Sequence, residues 1–273
     1  MRVAIVAIVA VMTAVPAFAN TAAPVEFPSG GMTIKGTLVK PDGPGPFPAI
    51  VALHGCEGLT LSTGALAIRY QDWADRLTRA GFALLFPDSY GSRHLGGQCR
   101  TRATAHIERE RMKDAEAARE WLQAQGLAKP NHVSLLGWSS GAVGVLWAVR
   151  PRARPRDGKP DFRSAAVLYP ACRRLDNAAW AARIPTLILA GGADDVVSAH
   201  ACEQMVAHAY GRSARVKIVV YPGASHDFDH PRRALQQRSG YVYSTSGTGR
   251  VHTGTNSAAR ADALRRVPQW LAR

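Results

Sequence analysis

Apolar and polar positions along this chain fall into two alternating patterns. "PAIVALHG" (48–55) and "FALLFPD" (82–88) are short, continuous apolar runs bounded by turn residues, as strands buried on both faces should be. Between them, "YQDWADRLTRAG" (70–81) repeats apolar residues at helical spacing and stops at Gly81. "RERMKDAEAAREWLQAQG" (109–126) is a longer amphipathic helix closed by Gly126. The same alternation predicts strands at 132–136, 164–169, 185–190 and 215–221, with helices at 140–150, 198–210 and 258–272. "MTIKGTLVKP" (32–41) alternates and ends in a Pro/Gly turn, an edge hairpin strand. Strand and helix in alternation predict an α/β fold with a mostly parallel central sheet and helices on both faces.

One corner in this pattern carries chemistry. Val133–Leu136 runs directly into Gly137-Trp138-Ser139-Ser140-Gly141, and a helix follows. Chance alone would place a G-x-S-x-G in a chain of this composition about 0.12 times. Its position between a buried strand and a helix is the stronger signal. Such a strand–turn–helix corner lifts the serine above the carboxyl edge of the sheet, where open α/β folds bind ligands. The helix beginning near Ser140 aims backbone N–H groups and a positive dipole end at the same point.

A serine hydroxyl needs a base, and the base needs an orienting acid. "PTLILAGGADDVVS" ends a strand and offers Asp194 and Asp195, and "VKIVVYPGASHDFDH" ends another and offers His226. Ser, Asp, His is the chain order of α/β-hydrolases, and each residue follows a different strand. The bland alternatives are a helix-capping role for one aspartate and a surface position for His226. His54, His132, His200 and His208 are expected to be structural. Two backbone donors are needed for an oxyanion, and the expected pair is Ser140 and Cys56, the latter in the loop after "AIVALHG". The hydroxyl of Ser140 is expected to be dispensable.

The set "LHGCEG", "FPDSYGSR", "LLGWSSGA", "GGADD" and "GASHDFD" resembles the dienelactone hydrolase family, from about residue 30 to 273. The resemblance implies an α/β-hydrolase fold with Ser139 as nucleophile, Asp194 as acid and His226 as base. The namesake enzymes carry a cysteine nucleophile and bind a substrate carboxylate with arginines. Arg93 stands near one of those positions and His230 near the other. Arg93 and Trp138 are therefore the candidate substrate-binding residues. The resemblance also makes neighbours of the strands before Cys56 and Cys99, and of those before Cys172 and Cys202. It so implies the disulfides Cys56–Cys99 and Cys172–Cys202, one of three connectivities that four cysteines allow.

Composition changes this picture in two places. "MRVAIVAIVAVMTAVPAFAN" has one early Arg, an apolar run and Ala17-Phe18-Ala19, the pattern of a cleaved secretory signal over residues 1–19. A single domain over 20–273, periplasmic or secreted and without stable membrane insertion after cleavage, is expected. The chain carries 34 Lys and Arg against 20 Asp and Glu, a net +14, and cleavage removes only Arg2. That balance invites an anionic neighbour. The basic run at 150–163 is expected on the face of the sheet opposite the chemistry, as a solvated loop. Arg93, His94, Arg100 and Arg102 would rim the pocket. About 15 residues separate the strand ending at Pro170 from that starting at Pro185, too few for a large cap domain. The Gly/Ser/Thr-rich stretch 238–257 is expected to be a mobile loop. No cofactor, metal site or nucleic-acid partner is expected, and no oligomer signature is visible. The expected function is a serine hydrolase cleaving small carboxylic esters or lactones. A thioesterase or peptidase with the same triad, or a catalytically silent binding protein on the hydrolase fold, is the alternative.

Overall fold

The structure is a computed structural model, and it describes residues 20–101, 105–151, 158 and 160–273. The expected signal segment, Arg102 and half of the basic run 150–163 lie outside the described residues. In chain order the strands are β1 (Asn20–Ser29), β2 (Met32–Pro41), β3 (Phe47–Leu53), β4 (Ala83–Pro87), β5 (Ala128–Trp138), β6 (Ala165–Leu168), β7 (Thr186–Gly191) and β8 (Val216–Tyr221). They form one sheet in the order β1-β2-β4-β3-β5-β6-β7-β8. β1 and β2 pair antiparallel, β2 pairs antiparallel with β4, and from β4 onward every pairing is parallel.

Alternate residues of the central strands feed two separate cores. Val51, Leu53, Leu85, Leu135, Val167 and Ile188 pack on one face. Ile50, Ala52, Leu84, Leu136, Leu168 and Leu189 pack on the other. This explains why the strands carry continuous apolar runs: neither face meets water. The first layer is covered by α2 (Ala105–Ala124), α3 (Ser140–Ala148) and α5 (Ala199–His208), and the second by α1 (Ile68–Arg79) and α6 (Ser257–Leu271). In α1 the residues Tyr70, Trp73, Ala74 and Leu77 are buried, the spacing of one helical stripe. Between β6 and β7 only the five-residue α4 (Arg173–Asn177) intervenes, so no cap domain covers the carboxyl edge.

Two segments differ from expectation. "MTIKGTLVKP" is not the edge: β1 lies outside it, pairing residue for residue from Asn20↔Pro41 to Ser29↔Met32. Its two prolines, Pro24 and Pro28, weaken the strand signal. An edge strand tolerates them because it has one free side. The stretch 238–257 is not a free loop. β9 (Gln236–Arg238) and β10 (Val251–Thr253) pair antiparallel at its ends, and Tyr241 and Val251 are buried with Val196 beneath it.

Both disulfides lie beyond the carboxyl ends of adjacent strands, Cys56–Cys99 between two loops and Cys172–Cys202 between a loop and helix α5. Cys56–Cys99 follows β3 and β4, and Cys172–Cys202 follows β6 and β7, with Cα separations of 5.0 and 4.9 Å. The Cys172–Cys202 link closes a loop of sequence separation 30. The chain-entropy model assigns such a loop about 3–4 kcal/mol. Replacing both cysteines with alanine is expected to lower stability by roughly that amount, read as a reduced urea midpoint, with a slope that rises as the freed denatured chain expands.

Candidate active site

The corner between β5 and α3 is built by close packing. A side chain at Gly141 would place its Cβ 2.1 Å from the carbonyl oxygen of Leu53, and one at Gly137 would sit 2.8 Å from that of Gly141. Only glycine lets α3 approach β3 and β5 this closely. The turn is completed by Ser139 at φ 51°, ψ −118°, a left-handed conformation that a non-glycine residue holds at a cost of roughly 1–3 kcal/mol. The Ser139 N–H is fixed by donation to the Leu168 carbonyl at 3.0 Å.

Three loops then converge. His226 Nε2 lies 3.0 Å from Ser139 Oγ, and His226 Nδ1 lies 2.7 Å from Asp194 Oδ2. The other oxygen of Asp194 accepts the N–H groups of Val196 and Val197 at 2.9 and 3.0 Å, which locks its rotamer. Helix α5 takes its cap from Ser198 instead. Asp195 points elsewhere: its carboxylate accepts from the His252 N–H at 2.7 Å and faces Nδ1 of the same residue at 2.8 Å. His226 is buried against the Tyr169 ring, with centroids 4.5 Å apart. Burial alone would lower its pKa. The charge and hydrogen bond of Asp194 outweigh this and hold the imidazole above its ordinary value.

Ser139 opens into a pocket of about 330 Å³. Cys56 and Ser140 line it, as do Cys99, Cys172 and Tyr90. The apolar part of the wall comes from Ile107, Val143, Val196, Val197 and Val242. Arg173, Arg174 and Glu108 bring charge, with Arg174 3.9 Å from Glu108. Burial raises the Glu108 carboxyl above its ordinary pKa.

Both candidate substrate-binding residues are placed differently from expectation. Arg93 is committed to a two-pronged pair with the fully buried Asp114, at 2.7 and 2.9 Å, and does not line the pocket. Trp138 has no exposed surface, and its indole N–H donates to Asp229 at 2.9 Å. The side chain ends β5 just before Ser139 and points into the second core, not into the pocket. His230 is buried, with its pKa lowered to about 4 by burial and then by Arg69. His54 is fully buried and bonds the Gly55 carbonyl, a structural role.

Arg111 was hidden within a charged helix. It is fully buried, donates to Ser140 Oγ at 3.0 Å and also to the His54 carbonyl, so it braces the nucleophile turn against the loop that carries Cys56. Its spacing to Ala115, Ala118 and Leu122 places it on the apolar stripe of α2, a signal present in the sequence. The Ser140 hydroxyl therefore has a role, and Ser140→Ala is expected to cost about 1 kcal/mol in urea unfolding by leaving a buried donor short of one acceptor.

The sequence matches the family model described as "Dienelactone hydrolase family" over residues 34–273. The chain belongs to the dienelactone hydrolase family. Members of this family are hydrolases of the α/β fold. Two solved relatives share the fold of this dienelactone hydrolase family member. One is a dienelactone hydrolase-like promiscuous phosphotriesterase from metagenomic libraries, 18% identical with a TM-score of 0.70, covering 93% of this chain and 98% of that one. The other is a dienelactone hydrolase from Anabaena variabilis, 19% identical with a TM-score of 0.63, covering 93% and 97%. Prolyl endopeptidases share it too, at 14% identity and a TM-score of 0.62, covering 93% of this chain and 39% of that one. An uncharacterized protein of Mycobacterium tuberculosis is 37% identical over 128 residues, 42% of this chain and 44% of its own length. The match thus spans less than half of that curated relative. Among the described residues, no cluster of three His, Cys, Asp or Glu is placed to hold a metal, and no helix is long and apolar enough to cross a membrane.

The raised imidazole is directly measurable. An NMR titration of His226 is expected to give a pKa above the ordinary value of about 6.5, and Asp194→Asn is expected to bring it down. An unchanged value in that variant would mean that Asp194 is not what raises it.

Proposed function

We propose that this protein is a serine hydrolase that cleaves small carboxylic esters or lactones through an acyl-enzyme. The observation that carries this reading is the continuous relay Asp194–His226–Ser139 opening onto the pocket. A silent binding protein has no need of a buried imidazole aligned at both nitrogens. The pocket lies near the small end of the range for ligand sites, which supports a small substrate.

In this mechanism Ser139 Oγ attacks the ester carbonyl while His226 Nε2 takes its proton. Asp194 fixes the tautomer that leaves Nε2 free to accept, and stabilises the imidazolium that forms. The N–H groups of Cys56 and Ser140 receive the oxyanion, each worth about 3 kcal/mol. The tetrahedral intermediate collapses, and His226 returns its proton to the departing alkoxide. Water then attacks the acyl-serine by the same route, releasing the acid. Because protonated His226 cannot accept a proton, the rate falls as pH drops through the imidazole pKa, and a raised pKa moves that limb upward.

Export through cleavage at residues 1–19, and one domain over 20–273, belong to the same proposal. The two disulfides support an oxidising compartment.

Ser139→Ala and His226→Ala are each expected to lower turnover of p-nitrophenyl acetate by about 10⁴-fold or more, and Asp194→Asn somewhat less. A fluorophosphonate probe is expected to label Ser139 in the wild type and nothing in Ser139→Ala. Retention of wild-type esterase activity by Ser139→Ala would remove the nucleophile assignment.

A further inference from the structure

The pocket wall opposite α2 is not part of the sheet framework. Tyr241, Val242, Tyr243, Ser244 and Thr245 line it, on the segment that joins β9 to β10. Asp195 supplies four hydrogen-bond contacts to this strap. The Asp195 carbonyl accepts from Thr245 N–H at 2.8 Å and from Thr245 Oγ1 at 3.2 Å. The Asp195 carboxylate holds His252 by its backbone N–H and Nδ1, at 2.7 and 2.8 Å. Thr245 and His252 stand at either end of the tight loop 246–250, so Asp195 grips the strap on both sides of its bend. A further tie runs from Val242 N–H to the Cys99 carbonyl at 3.2 Å. Beneath lies a small apolar cluster of Val196, Tyr241 and Val251, with Cys99 and Val197 packed on it.

Asp195 follows the acid Asp194 directly, and the two divide one loop between them. Asp194 turns inward to His226, whereas Asp195 turns outward to the strap. The far end of the strap returns to the same place, since Gly254 N–H donates to the His226 carbonyl at 3.0 Å. The strap is therefore positioned by the loops that carry the acid and the base, and it closes the apolar side of the pocket with Val196, Val197 and Val242.

We infer that Asp195, paired with His252, is a positioning residue that sets the strap as a specificity wall, selecting esters with an apolar, branched or aromatic group of matching size. The inference rests on the ester hydrolase reading above. Asp195 touches neither Ser139 nor His226 in the relay, so its loss acts through wall position and shows in KM. Small esters, which do not reach the wall, feel it least.

The test uses the full chain with Asp195→Ala, Asp195→Asn, His252→Ala and the Asp195→Ala/His252→Ala double variant. Substrates are p-nitrophenyl acetate, butyrate, octanoate and benzoate, with benzyl acetate as the series grown on the alcohol side. For Asp195→Ala, kcat/KM is expected to fall about 10-fold on the larger esters, mainly in KM, and less than about 3-fold on p-nitrophenyl acetate. Asp195→Asn keeps an acceptor for the His252 N–H and is expected to recover part of the loss. His252→Ala should show the same pattern, and the double variant should be no worse than Asp195→Ala. Hydrogen exchange at the His252 amide, which loses its carboxylate acceptor, is expected to quicken about 10-fold in Asp195→Ala, whereas the Thr245 amide keeps its backbone acceptor and changes less. A loss in kcat equal on all esters would overturn the inference, because Asp195 would then act through Asp194. So would an unchanged ester profile with unchanged exchange. If exchange quickens but the wild type turns over no ester, the hydrolase reading fails while the anchoring role stands.

Discussion

A carboxylate withdrawn from water must be met by donors on every side, and Asp229 is withdrawn completely. Its Oδ2 accepts the indole N–H groups of Trp73 and Trp138 at 2.7 and 2.9 Å, and its Oδ1 accepts the Tyr169 hydroxyl at 2.6 Å. Arg69 lies 3.7 Å away, and Arg260 donates to the Asp229 backbone carbonyl at 3.1 Å. The side chain thereby binds α1, the end of β5 and the turn after β6, and the backbone carbonyl of the same residue holds the start of α6. Trp138 immediately precedes Ser139, and Asp229 lies three residues past His226. The separation of Ser139 from His226 is thus set largely from below, by a group that never meets substrate. Removing any one donor would cost more than a single hydrogen bond, since the remaining charge has no water to turn to.

Asp227 completes this foundation by a different route. It takes a left-handed backbone at φ 65°, so its side chain turns inward between Arg69, at 2.5 Å, and Arg233. Burial alone would raise this carboxyl; the Arg69 guanidinium, with other nearby positive groups, reverses the effect and holds it well below its usual range. Arg233 passes the charge outward to Glu57 at 3.2 Å, which sits beside Cys56 in the oxyanion loop. The run His226–Asp227–Phe228–Asp229 therefore alternates between the site and its supports. His226 faces the nucleophile, Asp227 reaches toward the oxyanion loop, and Asp229 reaches into the lower core.

The parts of this arrangement that follow from chain periodicity were legible in the sequence. Buried runs gave β3 and β4 to β8, and the order of loops at their ends gave Ser139, Asp194 and His226. What periodicity does not encode is the direction of polar side chains within a core. Arg111 and Asp114 look like solvent residues of a charged helix, yet both are buried, because Arg111 meets the Ser140 hydroxyl and Asp114 meets Arg93. The position of Arg93 suggests a substrate ligand, but its guanidinium pairs with the buried carboxylate of Asp114. Trp138 failed for a related reason. On β5, residues two apart share a face, so Trp138 follows Leu136 into the second core, and only the turn at Ser139 redirects the chain toward the pocket. β1 escaped because its prolines mask a strand that only an edge permits.

The two disulfides take on meaning from this geometry. Loops at the carboxyl edge of a parallel sheet carry function but share little of the core, so their positions are the least constrained by packing. Both cross-links lie at that edge, and Cys56, Cys99 and Cys172 line the pocket. Cys56–Cys99 ties the oxyanion loop to the segment that also receives the strap through Val242. Cys172–Cys202 ties the turn after β6 to α5, whose first turn follows the acid loop. The sheet and its buried carboxylate fix the nucleophile and base from below, while covalent links fix the walls from the side. Between them only the strap is held by hydrogen bonds and a small apolar cluster, so it is the part of the site where a change of sequence would alter substrate fit at least cost to the fold.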